Sequence, residues 1–389
     1  MSFQEFYASQ GKELLEYFER REREFLKFTR ALVETESPSG YAKGIRAVVS
    51  LLADQARKID GVTSVELVEG EQYGAHLRVR AFGGADDSEQ ILIIGHTDTV
   101  HELGSWKSLW REAEGRVYGP GIFDMKANCA LAVEALRACS VLNFRPRRPV
   151  LLLLTCDEEI GSVRGRPLIE EEAKRSAYAL VLEPPATGGR VKTERKGTGI
   201  FTLEAKGHAA HAGLEPEKGA SAVLEIARQI ERLHSMNDLE RGTTVNVGTV
   251  EGGSRVNVVA AEARAEIDVR FGTAAEAERI AQAIRSLKPY DERVQLIIGG
   301  GINRPPLERS TGVVELYQQA KHVASVLDYE LGEARVGGAS DGNFVAAIGT
   351  PVLDGLGIDG DGAHAAHEHI KTREIAQRGA LLAGLITTL

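Results

Sequence analysis

The sequence is poor in cysteine and contains no long apolar segment. Its three cysteines, Cys129, Cys139 and Cys156, are odd in number and lack C-x-x-C spacing. Such a set provides no disulfide scaffold and fits a reducing compartment. The longest strongly apolar stretch, residues 150–154, suits a buried strand and is far shorter than a membrane span. These absences exclude a disulfide-stapled scaffold and a protein with membrane-spanning helices.

The composition of the N-terminal residues indicates the cellular location of the protein, and its net charge limits the kinds of partner that it binds. Residues 1–30 are dense in Glu and Arg and lack the apolar core of a signal peptide. We therefore expect a cytoplasmic protein, and a periplasmic or secreted one only if a signal peptide was removed. The formal net charge of −9 argues against nucleic acid or an anionic membrane as a partner.

Outside the middle of the chain, helical and strand patterns alternate. At 389 residues the chain exceeds the usual size of a single core, so two domains are expected. Amphipathic helices alternate with short apolar strands at 91–94, 150–154 and 178–182. This alternation predicts an α/β domain whose sheet carries helices on both faces.

The pattern changes between residues 196 and 303. Four strand signals and two helix signals follow one another there as β-α-β-β-α-β: 199–205, 220–234, 244–250, 263–271, 274–287 and 294–298. This order predicts a ferredoxin-like insertion. The expected domains are therefore a discontinuous one, 1–195 with 304–389, and an inserted one, 196–303.

Imidazoles and carboxylates follow the predicted strands of the α/β domain. His96 and Asp98 follow the first apolar strand, Glu158 and Glu159 the second, and Glu183 the third. In addition, a glycine break at 119–121 precedes Asp124, and the last strand leads to His364. Because ligands bind at the carboxyl ends of the strands in open α/β sheets, these side chains are expected to converge on one rim.

This mixture of donors suits zinc, for which cobalt or manganese can substitute. Two histidines and three carboxylates are too many for one catalytic zinc, which keeps an open position, and fit two ions that share a bridging carboxylate. Two Zn²⁺ ions balance the charges of Asp124, Glu159, Glu183 and one hydroxide, a neutrality that a partly buried site tolerates. A cofactor of two zinc ions is therefore expected.

Five motifs, in this order and spacing, resemble the M20 clan of co-catalytic zinc metallopeptidases: His96-Thr97-Asp98, the segment 119–126, Thr155-Cys156-Asp157-Glu158-Glu159, Glu183-Pro184 and the segment 207–213. The glycine-rich segments 299–301 and 337–341 make the chain most similar to the glutamate carboxypeptidase branch. The resemblance covers nearly the whole chain. It implies a phosphorylase/hydrolase-like three-layer catalytic domain with a mixed sheet and an inserted dimerisation, or lid, domain.

The resemblance also implies a set of metal ligands. Asp124 would bridge both metals, with His96 and Glu183 completing the set of one metal, and Glu159 and His364 that of the other. Asp98 would accept the second N–H of His96 and so fix the tautomer of that ring.

Further roles concern the reaction itself. Glu158 would be the general base, and an extended backbone would turn it away from Glu159. In the family, a lid histidine from a partner subunit approaches the oxyanion. His211 matches that position, which implies a homodimer. Asn257 and Arg304 are candidates for binding a substrate carboxylate, a group that suits the bidentate arginine fork.

Simpler interpretations exist for several of these residues. His96 could be a satisfied strand-end histidine, Asp124 a helix N-cap, and the acidic doublet a solvated turn. His364 is preferred to His367 as ligand because Glu368 follows it by four residues, as in the family. Ordinary surface or packing roles are expected for four other histidines: His101, His208, His234 and His322. One departure from the family is Ala127-Asn128-Cys129, where Gly-Gly usually follows Asp-Met-Lys.

The leading functional hypothesis is a carboxypeptidase-like hydrolase that releases a C-terminal amino acid from a small peptide or an N-acyl amino acid. An N-acyl-amino-acid deacylase or a dipeptidase would use the same centre. Two hypotheses of a different kind compete with these: a metal-free binding homologue and a single-metal aminopeptidase.

Overall fold

The computed structural model of the protein describes residues 3–83 and 89–389. The chain divides into two compact units. The outer unit comprises the chain through Glu194, Arg309–Val336 and Ser340–Leu389, and the inserted unit comprises Arg195–Glu308 and Gly337–Ala339. Residues 195, 304–308 and 337–339, which the expected bounds place in the first domain, group with the inserted unit by their contacts.

The described residues form nine helices: α1 (Phe3–Val33), α2 (Ala42–Ala56), α3 (Ala127–Val141), α4 (Gly165–Ala173), α5 (Ala222–His234), α6 (Ala274–Arg285), α7 (Thr311–Val326), α8 (Gly342–Ile348) and α9 (Ile375–Thr388). Over the same residues there are sixteen strands: β1 (Val62–Glu69), β2 (Ala75–Ala81), β3 (Gln90–His96), β4 (Arg111–Ala113), β5 (Arg116–Tyr118), β6 (Val150–Thr155), β7 (Ser176–Val181), β8 (Val191–Arg195), β9 (Gly197–Lys206), β10 (Thr244–Gly252), β11 (Glu262–Phe271), β12 (Gln295–Arg304), β13 (Glu333–Val336), β14 (Val352–Leu353), β15 (Gly360–Asp361) and β16 (His369–Lys371).

The central sheet of the outer unit has the strand order β1-β2-β6-β3-β7-β14. Strands β6, β3, β7 and β14 run parallel, and β2 and β1 continue the sheet in antiparallel fashion. In β3, Ile91 and Ile93 join the core formed with α1, α3 and α9, while Leu92 and Ile94 are buried on the opposite face. Burial on both faces explains why this strand is a continuous apolar run. The predicted three-layer α/β domain with a mixed sheet is confirmed.

The inserted unit contains an antiparallel sheet with the order β10-β11-β9-β12. Along the chain the order is β9-α5-β10-β11-α6-β12, so the predicted ferredoxin-like arrangement is confirmed. Burial alternates along β9 and β11, because one face of the sheet packs on α5 and α6. Both helices begin where a hydroxyl accepts a backbone N–H: Ser221 from Leu224 and Thr273 from Glu276.

A second, four-stranded sheet of the outer unit was not predicted. Its strand order is β15-β16-β5-β4. Strands of two or three residues are too short to show an alternating pattern. This sheet nevertheless matters for the site, because its β5–β16 pairing joins the segment just before Asp124 to the segment just after His364.

The cysteines and the helices agree with the absences noted in the sequence. All three cysteines are buried and free. Among the helices of residues 3–83 and 89–389, none combines the length and the apolar character needed to cross a membrane.

His76, on β2, is a fully buried imidazole. Its Nε2 lies 3.7 Å from the Cys156 Sγ, and its Nδ1 has no hydrogen-bond partner among the described residues. Burial lowers the pKa of His76 from 6.5 to about 4, against the attraction of Asp341 and Asp98. Between pH 4 and 6.5 the imidazole of His76 is therefore mostly neutral in the folded protein and mostly protonated in the unfolded chain.

This difference predicts acid sensitivity. Stability that is present above pH 6.5 should be lost as the pH falls towards 4, by about 3 kcal/mol from this residue alone. Urea unfolding between pH 7 and 4 should therefore show a smaller loss of unfolding free energy for His76→Gln than for wild type. The same substitution at exposed His322 controls for the loss of an imidazole. Equal slopes for wild type and His76→Gln would contradict this account.

Candidate metal centre

Three parallel strands end at the same edge of the central sheet, and each delivers candidate ligands there. His96 is the last residue of β3. Glu158 and Glu159 follow β6, and Glu183 lies two residues beyond the end of β7. The strand ends are neighbours because β3 lies between β6 and β7. The sheet itself therefore gathers these four side chains.

Asp124 lies between two imidazoles. Its Oδ1 is 3.0 Å from the Nε2 of His96, and its Oδ2 is 3.5 Å from the Nε2 of His364. Glu183 Oε1 lies 3.6 Å from the same nitrogen of His96, and Glu159 Oε2 lies 3.3 Å from that of His364. The five expected ligands are thus brought together, and Asp124 is the residue shared between the two groups.

These residues fit a metal centre by chemistry and by geometry. Potential donor atoms of His96, Asp124 and Glu159 all lie within 4.8 Å of one another, as do those of His96, Glu158 and Glu183. The Oε1 of Glu159 is buried without a hydrogen-bond partner among the described residues. A buried carboxylate oxygen left in this way is costly unless a cation satisfies it.

The protonation equilibria show that the centre attracts positive charge. Burial disfavours the charged form of His96, but hydrogen bonds to Asp124 and Asp98 outweigh it and raise the pKa of the ring. Hydrogen bonds to Asp124 and Glu159 raise the pKa of His364 to about 10. Burial acts to raise the pKa of Asp124, yet its bonds with the two imidazoles hold it well below the ordinary value. Metal ions would therefore have to displace protons, so their binding weakens as the pH falls.

Asp98 contacts its neighbours differently from the expectation. The Nδ1 of His96 donates to the backbone carbonyl of Asp98 at 3.0 Å, and the carboxylate Oδ1 is farther away at 3.5 Å. The carboxylate instead accepts the backbone N–H groups of Glu158 and Glu159, at 3.1 and 3.2 Å, and the Ser39 hydroxyl at 2.7 Å. Asp98 thus joins the candidate ligand His96 to the turn that carries both glutamates.

The expected extended backbone at Glu158 and Glu159 is wrong. Residues Glu158–Ile160 form a short 3-10 turn, because both amides bend towards the one carboxylate of Asp98. The two side chains still separate: Glu159 contacts His364, while Glu158 groups with His96 and Glu183. The separation comes from the turn and not from alternation along a strand.

Sequence reasoning missed several residues that hold the ligand segments. Asp341 accepts hydrogen bonds from Thr155, at 3.0 Å, and from Ser162, one on each side of the Glu158–Ile160 turn. His101, expected to be an ordinary surface or packing residue, bonds to buried Glu368 at 2.5 Å. Asp341 and Glu368 could both have been identified from the sequence, since Asp341 ends the glycine-rich segment 337–341 and Glu368 follows His364 by four residues.

The departure at Ala127-Asn128-Cys129 adds contacts to the ligand segments. Buried Asn128 donates to the Phe123 carbonyl at 3.1 Å and accepts the Ile358 N–H at 2.9 Å. The Cys129 thiol donates to the His96 carbonyl at 3.0 Å. Side chains therefore tie these loops, and Asn128 does so at a position where the family usually has glycine.

A further group with metal-ligand chemistry is a poorer fit. His76, Cys156 and Asp157 are all buried, with potential donor atoms within 4.8 Å. The Asp157 carboxylate, however, already accepts the N–H groups of Arg164 and Gly165, at 2.5 and 3.1 Å, at the start of α4. Its pKa is raised to about 6, mainly by burial. We interpret this group as part of the core.

The inserted unit places its three candidate residues at two different ends. The Nδ1 of exposed His211 accepts the Gly213 N–H at 3.1 Å, so its Nε2 carries the proton and is a donor. The Ala212 N–H donates to the Asn257 carbonyl at 3.0 Å, which sets Asn257 beside His211. Arg304, only 8% exposed, pairs with Thr198 near the start of β9. The ten-residue strand β9 leads from that end to the His211 loop, and a strand of this length extends about 30 Å.

Comparison with known proteins gives the family. Residues 92–388 match peptidase family M20/M25/M40. The chain is 28% identical over 377 residues to carboxypeptidase G2 of Pseudomonas sp. (strain RS-16), covering 94% of this chain and 89% of that protein. It is 30% identical over 318 residues to the succinyl-diaminopimelate desuccinylase of Alkalilimnicola ehrlichii, covering 76% and 82%.

A solved structure agrees in fold. The crystal structure of aminopeptidase PepT from Bacillus cereus matches with a TM-score of 0.75 at 22% identity, over 94% of this chain and 98% of that one. The family match includes β6, β7, β14 and most of β3 of the central sheet, the inserted unit and all five candidate ligands. The chain therefore belongs to peptidase family M20/M25/M40 and is a hydrolase of the metallopeptidase type.

Proposed function

We propose that the protein is a two-zinc hydrolase that cleaves an amide or peptide bond and releases a C-terminal amino acid, as a glutamate carboxypeptidase does. The observation that carries the proposal is the Asp124 carboxylate, whose two oxygens face two imidazoles. His96 and Glu183 would hold one ion, Glu159 and His364 the other, and Asp124 both. This nitrogen and oxygen donor set favours zinc, and cobalt or manganese can substitute.

Glu158 is proposed as the general base. Two bound zinc ions would supply Lewis-acid polarisation of the scissile carbonyl and make a nearby water molecule more acidic. Glu158 would take the proton of the attacking water and return it to the leaving amine. Its backbone is held by Asp98, and its carboxylate lies among the ligand atoms of His96 and Glu183. The base is therefore positioned before substrate arrives.

The separation within the inserted unit favours a homodimer. A small substrate cannot contact both ends of a sheet about 30 Å long. Arg304 would serve the metal centre of one copy, while His211 and Asn257 would serve that of its partner. The Nε2–H of His211 would donate to the developing oxyanion. The guanidinium of Arg304 suits the carboxylate of a small peptide or an N-acyl amino acid.

An N-acyl-amino-acid deacylase or a dipeptidase is the second candidate. The same metal centre and base would serve these reactions, and the relatives include a desuccinylase as well as a carboxypeptidase. The reactions differ in which side of the scissile bond is recognised. A metal-free binding protein is disfavoured because the donor set around Asp124 is complete and, except for His364, largely shielded from solvent.

Removing the base should slow hydrolysis strongly and leave metal binding intact. Zinc-loaded Glu158→Gln is expected to hydrolyse N-acyl-glutamate, N-acyl-leucine and a dipeptide about 10²–10⁴-fold more slowly than wild type, the usual contribution of a general base. Glu171→Gln, an exposed glutamate on α4, is the matched control and should keep full activity. Retention of most activity by Glu158→Gln would rule out its assignment as base. The relative rates of wild type on N-acetyl amino acids, dipeptides and N-aroyl-glutamates then distinguish the deacylase, the dipeptidase and the carboxypeptidase.

The metal count can be tested at the histidine cluster. Wild type purified without chelator should contain about two zinc equivalents, and His364→Gln about one, because only one ion would lose a ligand. His367→Gln is the control and should retain both ions. Elemental analysis of the three proteins decides the matter, and equal zinc contents in all three would remove His364 from the ligand set.

The role of His211 in the partner copy can be tested by complementation. Glu158→Gln and His211→Ala should each be nearly inactive as homodimers. Co-expressed with different tags and purified as a mixture, they should regain about a quarter of wild-type activity, because half of the dimers are mixed and each of these has one intact site. No recovery in dimers shown to be mixed would mean that His211 acts within its own chain.

A further inference from the structure

One buried carboxylate accepts hydrogen bonds from three backbone N–H groups of the loop that carries Asp124. The Oε1 of Glu368 accepts the N–H groups of Phe123 and Asp124, at 2.8 and 2.9 Å, and its Oε2 accepts the N–H of Gly121 at 2.9 Å. The Glu368 side chain is fully buried. It belongs to a segment more than 240 residues away along the chain, so this contact exists only in the folded outer unit.

The loop depends on that carboxylate because its own backbone cannot pair these amides. Gly121 has a positive φ of 68°, and Asp124 and Met125 depart from helical geometry, with φ and ψ of −121° and 87°, and −144° and 38°. Buried amides of such a segment have no helical partner and are costly if left unpaired. Glu368 therefore determines where the backbone of Asp124 lies, and with it the carboxylate between the two imidazoles.

His101 completes the arrangement. Its Nε2 donates to the Glu368 Oε2 at 2.5 Å, and its ring packs edge-on against Trp106, with ring centroids 5.4 Å apart. Buried Lys126 also lies near Glu368, and it donates to the Thr35 carbonyl at 2.8 Å. Each oxygen of Glu368 thus accepts two hydrogen bonds, so the carboxylate has no lone pair left to bind a metal ion.

The segment that contains Glu368 also supplies a candidate ligand. His364, four residues earlier, faces Asp124 and Glu159 directly, and the Glu368 carbonyl accepts the Gly119 N–H at 3.3 Å. We propose that Glu368, assisted by His101, is a positioning residue that presents Asp124 to both metals and thereby sets the metal affinity. This inference rests on the metal centre proposed above.

The test compares two buried carboxylates of the outer unit. Glu172 is as buried as Glu368 and accepts hydrogen bonds from Arg78, Arg80 and Gln90, but it has no hydrogen bond with the Asp124 loop among the described residues. In Glu368→Gln, the new NH₂ group would face N–H donors. Glu172→Gln is the control for the loss of a buried charge.

Three quantities are measured, starting from the metal-free protein: the zinc dissociation constant, by competition with a chromophoric chelator, the thermal unfolding midpoint, and the absorption spectrum after cobalt is added. Glu368→Gln should bind zinc about 10–100-fold more weakly than wild type, as is usual when a residue supporting a metal ligand is lost. Glu172→Gln should lower the unfolding midpoint and leave the zinc affinity at the wild-type value. The cobalt absorption spectrum should change in Glu368→Gln alone.

Unchanged zinc affinity and an unchanged cobalt spectrum in Glu368→Gln would overturn the inference. If that variant does not fold, His101 provides the test: His101→Phe removes one donor and should weaken zinc binding, whereas His101→Gln keeps a donor and should restore it. Wild-type affinity in both His101 variants would then overturn it. Failure of the proposed function is distinguishable, because wild type itself would bind no zinc or His364→Gln would bind as wild type does.

Discussion

The outer unit is organised around a carboxylate held between two imidazoles. Burial disfavours the ionised form of Asp124, and its hydrogen bonds with His96 and His364 offset that cost. The neighbouring carboxylates in turn raise the pKa of both imidazoles. The arrangement brings together segments near residues 96, 124, 159, 183 and 364. Three of these segments lie at the ends of parallel strands, so the sheet that forms the core also sets the spacing of the site.

Much of this could be predicted from the sequence, because strong local patterns coincide with the site. Parallel strands buried on both faces read as apolar runs, and the polar residues that follow them must share one edge. Residues His96, Glu159 and Glu183 could be located in this way. The ferredoxin-like order of the insertion was equally visible, since its helices and strands are long enough to show their periods.

Other features could not be predicted because they depend on contacts between distant segments. The turn at Glu158 exists because Asp98 accepts two amides, and no local pattern encodes that. The significance of Glu368 lies in backbone amides more than 240 residues away. The four-stranded sheet that joins the segments of Asp124 and His364 consists of strands too short to show a period. In the inserted unit, the sequence predicts the same role for Arg304 and Asn257, which is to bind a substrate carboxylate. In the structure, these two residues lie at opposite ends of β9.

The discontinuous outer unit has a consequence for the order of synthesis. The segments of His96, Asp124, Glu159 and Glu183 leave the ribosome before the inserted unit, whereas His364 and Glu368 leave after it. Helix α9, which packs against α1 and α3, is later still. A nascent chain that has completed the inserted unit therefore has most of the candidate ligands but lacks both the second imidazole for Asp124 and the carboxylate that orders its loop. Tight metal binding would thus indicate that the C-terminal segments have been synthesised and have packed onto the rest of the outer unit.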